Sequence, residues 1–320
     1  MRLLITGGAG FIGSNFIRYH LSCNPSDEII NVDSLTYAGN PNNLFDIQND
    51  SRYYFFKENI CNQSKIERII KKHDVDAIIN FAAETHVDRS INNPDTFLHT
   101  NILGTHTLLN LARQYELSSF LQISTDEVYG SRVSGSFCES DRLTPSSPYS
   151  ASKASSDLIA LSYKITYDLP VIVTRCTNNF GPYQYPEKLI PLFVTNLLRG
   201  KTVPVYGTGK NVRDWIYVVD HCSAIDLLLK KGRAGEIYNI GSGNEMNNLE
   251  ITELLLCFLE KGNEMITFVK DRPGHDFRYS IDCSKIKKLG WKPAYSFKSA
   301  LNETVDWYKM NSWWWEPLKQ

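Results

Sequence analysis

Near the N-terminus, Arg2-Leu3-Leu4-Ile5 runs directly into Thr6-Gly7-Gly8-Ala9-Gly10-Phe11-Ile12-Gly13, and no other stretch restricts the possible folds as much. The short apolar run reads as a buried strand. Beyond the glycines, Phe11, Ile12, Phe16, Ile17 and Leu21 recur at helical spacing. Gly8, Gly10 and Gly13 form G-x-G-x-x-G, while Gly7, Gly10 and Gly13 form G-x-x-G-x-x-G. Such glycines permit a tight turn and let backbone approach a pyrophosphate, which then meets the helix N-terminus. A glycine pattern alone says little, but between a strand and a helix it has the context it requires. The next strand, Glu28-Ile29-Ile30-Asn31-Val32, ends at Asp33, twenty residues past Gly13. An acid placed there holds the ribose hydroxyls of NAD and repels the 2′-phosphate of NADP. The bland alternative for Asp33 is an acid that opens the next loop.

Strands and helices continue to alternate. Tyr53-Tyr54-Phe55-Phe56 reads as a third strand, followed by Asn59-Ile60, where an adenine could be contacted. Asn62 is placed to cap a helix through Ile66, Ile69 and Ile70. Ala77-Ile78-Ile79-Asn80-Phe81 reads as a buried strand, Thr96 to Tyr115 as one long helix, and Phe120-Leu121-Gln122-Ile123 and Val171–Cys176 as further strands. This rhythm predicts a doubly wound parallel α/β sheet of Rossmann type. From Asn178 onward proline and glycine become frequent, which predicts a smaller α/β substrate-binding domain. Asp220 could cap a helix through Ala224, Leu227 and Leu228, and Ile237–Ile240 reads as a strand returning to the first domain. The expected division is 1–177 plus roughly 215–240 for the cofactor domain, and 178–214 plus 241–320 for the other.

The totals exclude several classes. A net charge of −1 over 320 residues offers no basis for nucleic-acid or membrane-surface binding. Seven dispersed cysteines without a C-x-x-C predict reduced thiols in a cytosolic protein. No apolar run reaches bilayer length, and the chain opens on a strand rather than a signal peptide. No Cys/His/Asp cluster has metal-ligand spacing, so no metal is expected.

The predicted strand 120–123 ends in Ser124-Thr125-Asp126-Glu127. Ligands of open parallel sheets bind at the carboxyl ends of strands. Two neighbouring carboxyls there can act as acid and base if their surroundings separate their pKa values. Alone, the string could equally be a solvated turn. Downstream, Pro148 suits the first turn of a helix on which Tyr149 and Lys153 share a face. The spacing alone is weak, since Tyr53/Lys57 and Tyr206/Lys210 repeat it, one in a strand and one in a glycine-rich loop. A phenol ionises near ~10, and making it a base at pH 7 takes roughly 4 kcal/mol of phenolate stabilisation. A nearby ammonium and a cationic nicotinamide could supply that in a dry cleft.

Taken together, these residues resemble the extended short-chain dehydrogenase/reductase family, and within it the 4,6-dehydratases of nucleotide-linked glucose. The resemblance covers nearly the whole chain. It is carried by Thr125-Asp126-Glu127, by Ala82-Ala83-Glu84-Thr85-His86-Val87-Asp88-Arg89-Ser90, and by Asn178-Asn179-Phe180-Gly181-Pro182-Tyr183-Gln184-Tyr185-Pro186-Glu187-Lys188-Leu189-Ile190-Pro191. Asn211-Val212-Arg213-Asp214-Trp215-Ile216-Tyr217 and Asp271-Arg272-Pro273-Gly274-His275-Asp276 add to it. The Tyr-Lys pair belongs to the whole superfamily, whereas the Asp-Glu pair separates dehydratases from epimerases and decarboxylases.

The resemblance implies a homodimer that uses NAD to oxidise C4 of dTDP-glucose, eliminate water across C5 and C6, and return hydride to C6. Rhamnose biosynthesis is the usual setting. By the same resemblance Tyr149, Lys153 and Thr125 serve C4, Glu127 is the C5 base and Asp126 the acid for the C6 hydroxyl. NAD contacts are implied for Gly7, Gly10, Phe11, Ile12 and Gly13; for Asp33, Ser34, Leu35 and Thr36; for Asn59 and Ile60; for Phe81, Ala82, Ala83 and Glu84; and for Thr100, Tyr149, Lys153 and Asn179. Substrate contacts are implied for Thr85, Thr125, Asn178, Lys188 and Leu189. Pro204, Val205 and Tyr206 would wall the base, Arg213 the diphosphate, and Asn248, Asp271, Arg272, His275 and Tyr279 would complete the pocket. One departure is Asn59, where the family usually places an aspartate; its amide oxygen can still accept the adenine amino group. His86 is expected to pack beneath the site, and Trp313-Trp314-Trp315 to be a packed or interface anchor. Two alternatives stay open: an epimerase or decarboxylase on the same scaffold, and a non-catalytic NAD-binding regulator.

Overall fold

The structure, a computed structural model, describes residues 1–271 and 276–319. Its strands are β1 Arg2–Thr6, β2 Glu28–Asp33, β3 Tyr53–Lys57, β4 Ala77–Asn80, β5 Ser119–Thr125, β6 Val171–Cys176, β7 Asn178–Phe180, β8 Val203–Tyr206, β9 Val212–Tyr217, β10 Ile237–Ile240, β11 Glu245–Asn247 and β12 Ile266–Val269. Seven of them form one sheet in the order β10-β6-β5-β4-β1-β2-β3, and every neighbouring pair is parallel. The near-continuous apolar runs of β1, β2, β4 and β5 arise because helices cover both faces: Leu3, Leu4, Ile5, Ile29, Ile30, Ile78, Ile79, Phe120 and Leu121 are all fully buried. From β1 the chain builds outward to β2 and β3, and from β4 outward to β5 and β6. The order reverses between β1 and β4, which is where an open sheet forms a ligand crevice.

Several polar groups inside this sheet pair with one another across strands. Thr6 Oγ1 donates to Asn80 Oδ1 at 2.6 Å, and Asn80 Nδ2 donates to Gln122 Oε1 at 2.9 Å. On β6, Arg175 donates to Asp157 at 2.9 Å and to the Tyr129 hydroxyl at 2.9 Å, and Tyr129 donates to Asn239 at 2.8 Å. This buried chain ties β6 to the helix Pro148–Tyr167, to the turn after β5 and to β10.

Three local expectations change. The stretch read as one helix from 96 to 115 is a short turn at Asp95–Phe97, a π-helical segment Leu98–Gly104 and an α-helix Thr105–Gln114. The wide turn carries Asn101, whose amide binds the Glu84 backbone N–H at 2.9 Å, the Glu84 carbonyl at 3.1 Å and the Ser152 hydroxyl at 2.8 Å. Asn62 stands at the cap position of Gln63–His73, but its Oδ1 accepts from the Ser64 hydroxyl at 3.2 Å rather than from the helix backbone. Asp220 lies inside the helix Val218–Lys231, which starts earlier than its side chain suggests. It accepts instead from the backbone of Ala294 at 2.7 Å and Tyr295 at 3.4 Å.

The remaining strands make a three-stranded sheet, β11-β9-β7, and a parallel pair, β12-β8. The tail packs: Trp314 donates to Asn43 at 2.8 Å and Trp315 to the Tyr308 carbonyl at 2.8 Å, while Trp313 stays exposed beside Phe45. No helix among the described residues is long and apolar enough to cross a membrane.

Candidate active site

The glycine turn sits at the crevice. Gly7 has φ +69°, and a Cβ there would lie 2.6 Å from the Ala82 backbone nitrogen at the end of β4. A Cβ on Gly13 would lie 2.5 Å from the Gly7 carbonyl oxygen. The helix Phe11–Cys23 starts from Gly10 without a side-chain cap, so its first N–H groups are left for a ligand. Asp33 Oδ2 accepts from Ala9 N at 2.9 Å and Oδ1 from Leu35 N at 2.8 Å; burial raises its pKa. Each carboxylate oxygen keeps a second lone pair, enough for the ribose hydroxyls. A cradle without room for a Cβ, uncapped N–H groups and a ribose acid together fit an NAD molecule.

Nearly all the residues expected to touch NAD line this one cleft: Gly7, Gly10, Phe11, Ile12, Gly13, Asp33, Ser34, Thr36, Asn59, Ile60, Phe81, Ala82, Ala83, Glu84, Thr100, Tyr149, Lys153 and Asn179. Leu35 is the exception; its left-handed backbone (φ +53°) is spent returning its N–H to Asp33. Asn59 Oδ1 already accepts from Cys61 N at 2.8 Å, which leaves one lone pair for an adenine.

At the carboxyl end of β5, Thr125 starts the 3₁₀ turn Asp126–Tyr129, and its Oγ1 accepts from Glu127 N at 3.3 Å. Thr125, Asp126 and Glu127 all face the cleft. Asp126 is 2% exposed, and its Oδ2 has no hydrogen-bond partner. Burial and then the Glu127 charge push its carboxyl well above the usual carboxylate range, against the pull of Arg213. Burial thus favours the protonated form of Asp126, while its neighbour Glu127 is only half-buried.

Tyr149 and Lys153 lie on the helix Pro148–Tyr167, where Ser147 and Ser150 cap each other reciprocally and Pro148 takes the first turn. Both are buried and both line the cleft. The electrostatics differ from the simple expectation. Lys153 Nζ donates to the Ile123 carbonyl at 2.5 Å, and burial lowers its pKa against the pull of Asp157. Burial, then Glu127, Cys176 and Asp126, hold the Tyr149 phenol well above its ordinary pKa, opposed by a hydrogen bond with Thr125. The protein by itself keeps the phenol neutral, so the shift to a base requires a cation in the cleft.

The substrate set is brought together only in part. Thr85, Thr125, Asn178 and Lys188 line the cleft. Arg213 is buried on β9, donates to the carbonyls of Val212 (2.7 Å) and Asp276 (2.9 Å), and lies 4.3 Å over the ring of Tyr279. Both residues act electrostatically on the acid pair, Arg213 on Asp126 and Tyr279 with Glu127. Leu189 and Asn248 open the helices Leu189–Leu198 and Asn248–Phe258, Pro204, Val205 and Tyr206 belong to β8, and Asp271 is exposed near Gly207. These six do not line the cleft shared by the glycine turn and Tyr149. Arg272 and His275 lie outside the described residues. His86 caps Val87–Asn92, its ring accepting from Arg89 N at 3.4 Å.

On the wall, Tyr37 and Cys176 carried no expected contact, and Ser124, Gln184, Tyr185 and Glu187 lay within the quoted motifs without a contact assigned to them. Cys176 sits beside Thr125 through the β5–β6 register, which only strand pairing reveals. Asn179 is held from behind by His221, whose Nδ1 lies 2.9 Å from its Oδ1; burial pushes the His221 pKa down to about 3, so the ring is neutral and Nδ1 carries the proton.

The sequence profile of the GDP-mannose 4,6 dehydratase family matches residues 4–304. A dTDP-glucose 4,6-dehydratase of Streptomyces niveus is 51% identical over 324 aligned residues, covering 100% of this chain and 96% of that protein. The crystal structure of a dTDP-glucose 4,6-dehydratase from Streptomyces venezuelae, solved with NAD bound, superposes with a TM-score of 0.97 at 53% identity, covering 99% of this chain and 100% of that one. The Bacillus anthracis dTDP-glucose 4,6-dehydratase in complex with NAD gives 0.94 at 54% identity, with 99% of each chain covered.

Proposed function

We infer that this protein, which belongs to the GDP-mannose 4,6 dehydratase family within the extended short-chain dehydrogenases/reductases, is an NAD-dependent hydro-lyase that converts dTDP-glucose to dTDP-4-keto-6-deoxyglucose and water. The observation that most supports this reading is the unequal acid pair at the end of β5. Asp126 is buried, with its carboxyl pushed well above the usual carboxylate range, and Glu127 beside it opens to the cleft.

Bound NAD supplies a hydride acceptor at C4, a hydride donor at C6, and the positive charge that draws the Tyr149 phenol down. Tyr149 takes the proton of the C4 hydroxyl, while Thr125 and Lys153 hold that oxygen and the cofactor. The C4 ketone acidifies the C5 hydrogen, and Glu127 removes it. Asp126 gives its proton to the C6 hydroxyl, which leaves as water. Glu127 returns a proton to C5 as hydride reaches C6, and the proton that Tyr149 took from the C4 hydroxyl is released as Asp126 regains the one it gave up, so the cleft ends each turnover as it began. Adjacent carboxyls suit adjacent carbons, and proximity of sugar and cofactor contributes up to about 7–11 kcal/mol.

Purified protein given dTDP-glucose should form a base-labile 4-keto product, identified by NMR. A panel of UDP-, CDP- and GDP-hexoses should react far less. Recovery of intact sugar only, of a C4 epimer, or of CO₂ from a uronic acid would reject the reading.

The proposal extends to assembly and setting. The cofactor part is taken as 1–177 with roughly 215–240, supported by β10 joining the large sheet beside β6, and the sugar part as 178–214 with 241–320. Leu98, Leu103, Leu158 and Ile165 are exposed on the Leu98–Gly104 and Pro148–Tyr167 segments. An apolar surface of this kind supports a homodimer through these helices. Ile165→Lys should then move the protein toward monomer in sedimentation; an unchanged mass would argue for another interface. Seven unpaired cysteines favour the cytoplasm, and deoxysugar synthesis, rhamnose in particular, is the setting.

A further inference from the structure

Three distant stretches meet across the cleft: the loop after β2, the segment after β4 and the loop after β7. The Arg89 guanidinium lies 3.6 Å over the ring of Tyr37. The same guanidinium pairs with Glu187 at 3.2 Å, and Glu187 also lies 3.6 Å from His86. The Tyr37 ring meets Tyr185 edge-on at 5.7 Å, and Lys188 Nζ reaches the Thr85 carbonyl at 3.3 Å. Tyr37, Thr85, Tyr185, Glu187 and Lys188 line the same cleft as the glycine turn and Tyr149. These contacts therefore bridge from the cofactor side to the opposite wall.

We propose that Tyr37, Arg89 and Glu187 form a clasp across the cleft that sets how fast NAD leaves. This rests on NAD being the cofactor of the cleft. The chemistry demands retention: hydride removed from C4 must return to C6 of the same sugar. A cofactor lost between the two transfers would strand an oxidised, dehydrated sugar. The clasp is built from contacts suited to opening. A cation over an aromatic ring and a part-exposed ion pair are each weak, so together they slow release without forbidding exchange. Arg89 is half-exposed, is absent from the cleft lining and meets the cofactor side over the Tyr37 ring, which makes it a positioning residue rather than a catalytic one.

The test follows NAD release directly. Wild-type and Arg89→Met proteins are loaded with NAD and passed into NAD-free buffer, and retained NAD is measured over time. Arg89→Met should release NAD about ten-fold faster, and Arg89→Lys, which keeps the ion pair but not the flat stacking, should fall between. Without added NAD the Met variant should lose dTDP-glucose turnover progressively. Saturating NAD should restore kcat to near wild type, a recovery that general loss of fold would not give. If Arg89→Met does not fold, Glu187→Gln carries the same measurement with the same expected direction. Release as slow as in wild type from the folded variant overturns the clasp and leaves the cofactor reading standing. A wild-type protein that takes up no NAD overturns both.

Discussion

Glu127→Gln and Asp126→Asn should stop the same turnover at different points. The Gln variant should still oxidise C4 but no longer exchange the C5 hydrogen with solvent deuterium. The Asn variant should oxidise C4 and exchange C5, yet fail to expel the C6 hydroxyl. Each loses a proton-transfer group, so overall rate should fall by about 10²–10⁴. Their surroundings make the split possible: Asp126 is 2% exposed with Oδ2 unpartnered, whereas Glu127 is half-buried on the cleft wall. Asp126 offers a second readout. Its pKa is raised in the folded protein, so above the unfolded value of about 3.9 the native state binds the extra proton, and stability falls as pH rises toward the folded pKa. An asparagine does not titrate, so Asp126→Asn should melt above wild type at pH 7 and show a flatter pH dependence. Unimpaired C5 exchange in Glu127→Gln removes that residue from its role. A melting point below wild type in Asp126→Asn contradicts the neutral buried acid.

Gly7→Ala should leave a protein without bound NAD. The added methyl would stand 2.6 Å from the Ala82 nitrogen, a backbone atom that cannot swing aside, and the residue sits at φ +69°. The left-handed conformation alone costs roughly 1–2 kcal/mol for a residue with a Cβ, and the clash adds to it. NAD affinity should drop by at least roughly 100-fold, and turnover with it. Gly135→Ala separates the two causes. Gly135 has φ +74°, but a methyl added there would meet nothing within 4 Å, so it carries the conformational cost without the clash. Thermal melting of both variants decides: equal losses of stability would show that strain, not clearance beside β4, sets the cost at Gly7.

The features legible beforehand were local ones. Apolar runs marked β1, β2, β4, β5 and β6 because helices bury both faces of a parallel sheet. The Tyr149/Lys153 spacing put both side chains on one helical face, and Pro148 takes the first turn of that helix as its residue type suggested. Even so, β5 runs through Thr125, two residues past its last apolar side chain, Ile123, because pairing with β6 continues to Cys176. The helix read across 96–115 hid a π-helical segment because so short a segment does not show its own period, and Asn101 gains its partners only where the segment after β4 and Ser152 meet it.

Chain order alone was enough for the doubly wound sheet and the glycine turn with Asp33, since strand period, helix period and backbone sterics act over a few residues; the reacting side chains were proposed from motifs and a family resemblance. The surroundings of those side chains were settled only by folding. Lys153 is drawn to the Ile123 carbonyl, Asp126 is cut off from water, and Arg213 is set over Tyr279. The meeting of Tyr37, Arg89 and Glu187 also had to await assembly. Desolvation and cross-cleft contacts depend on which distant segments come together, and no short window of sequence carries that information.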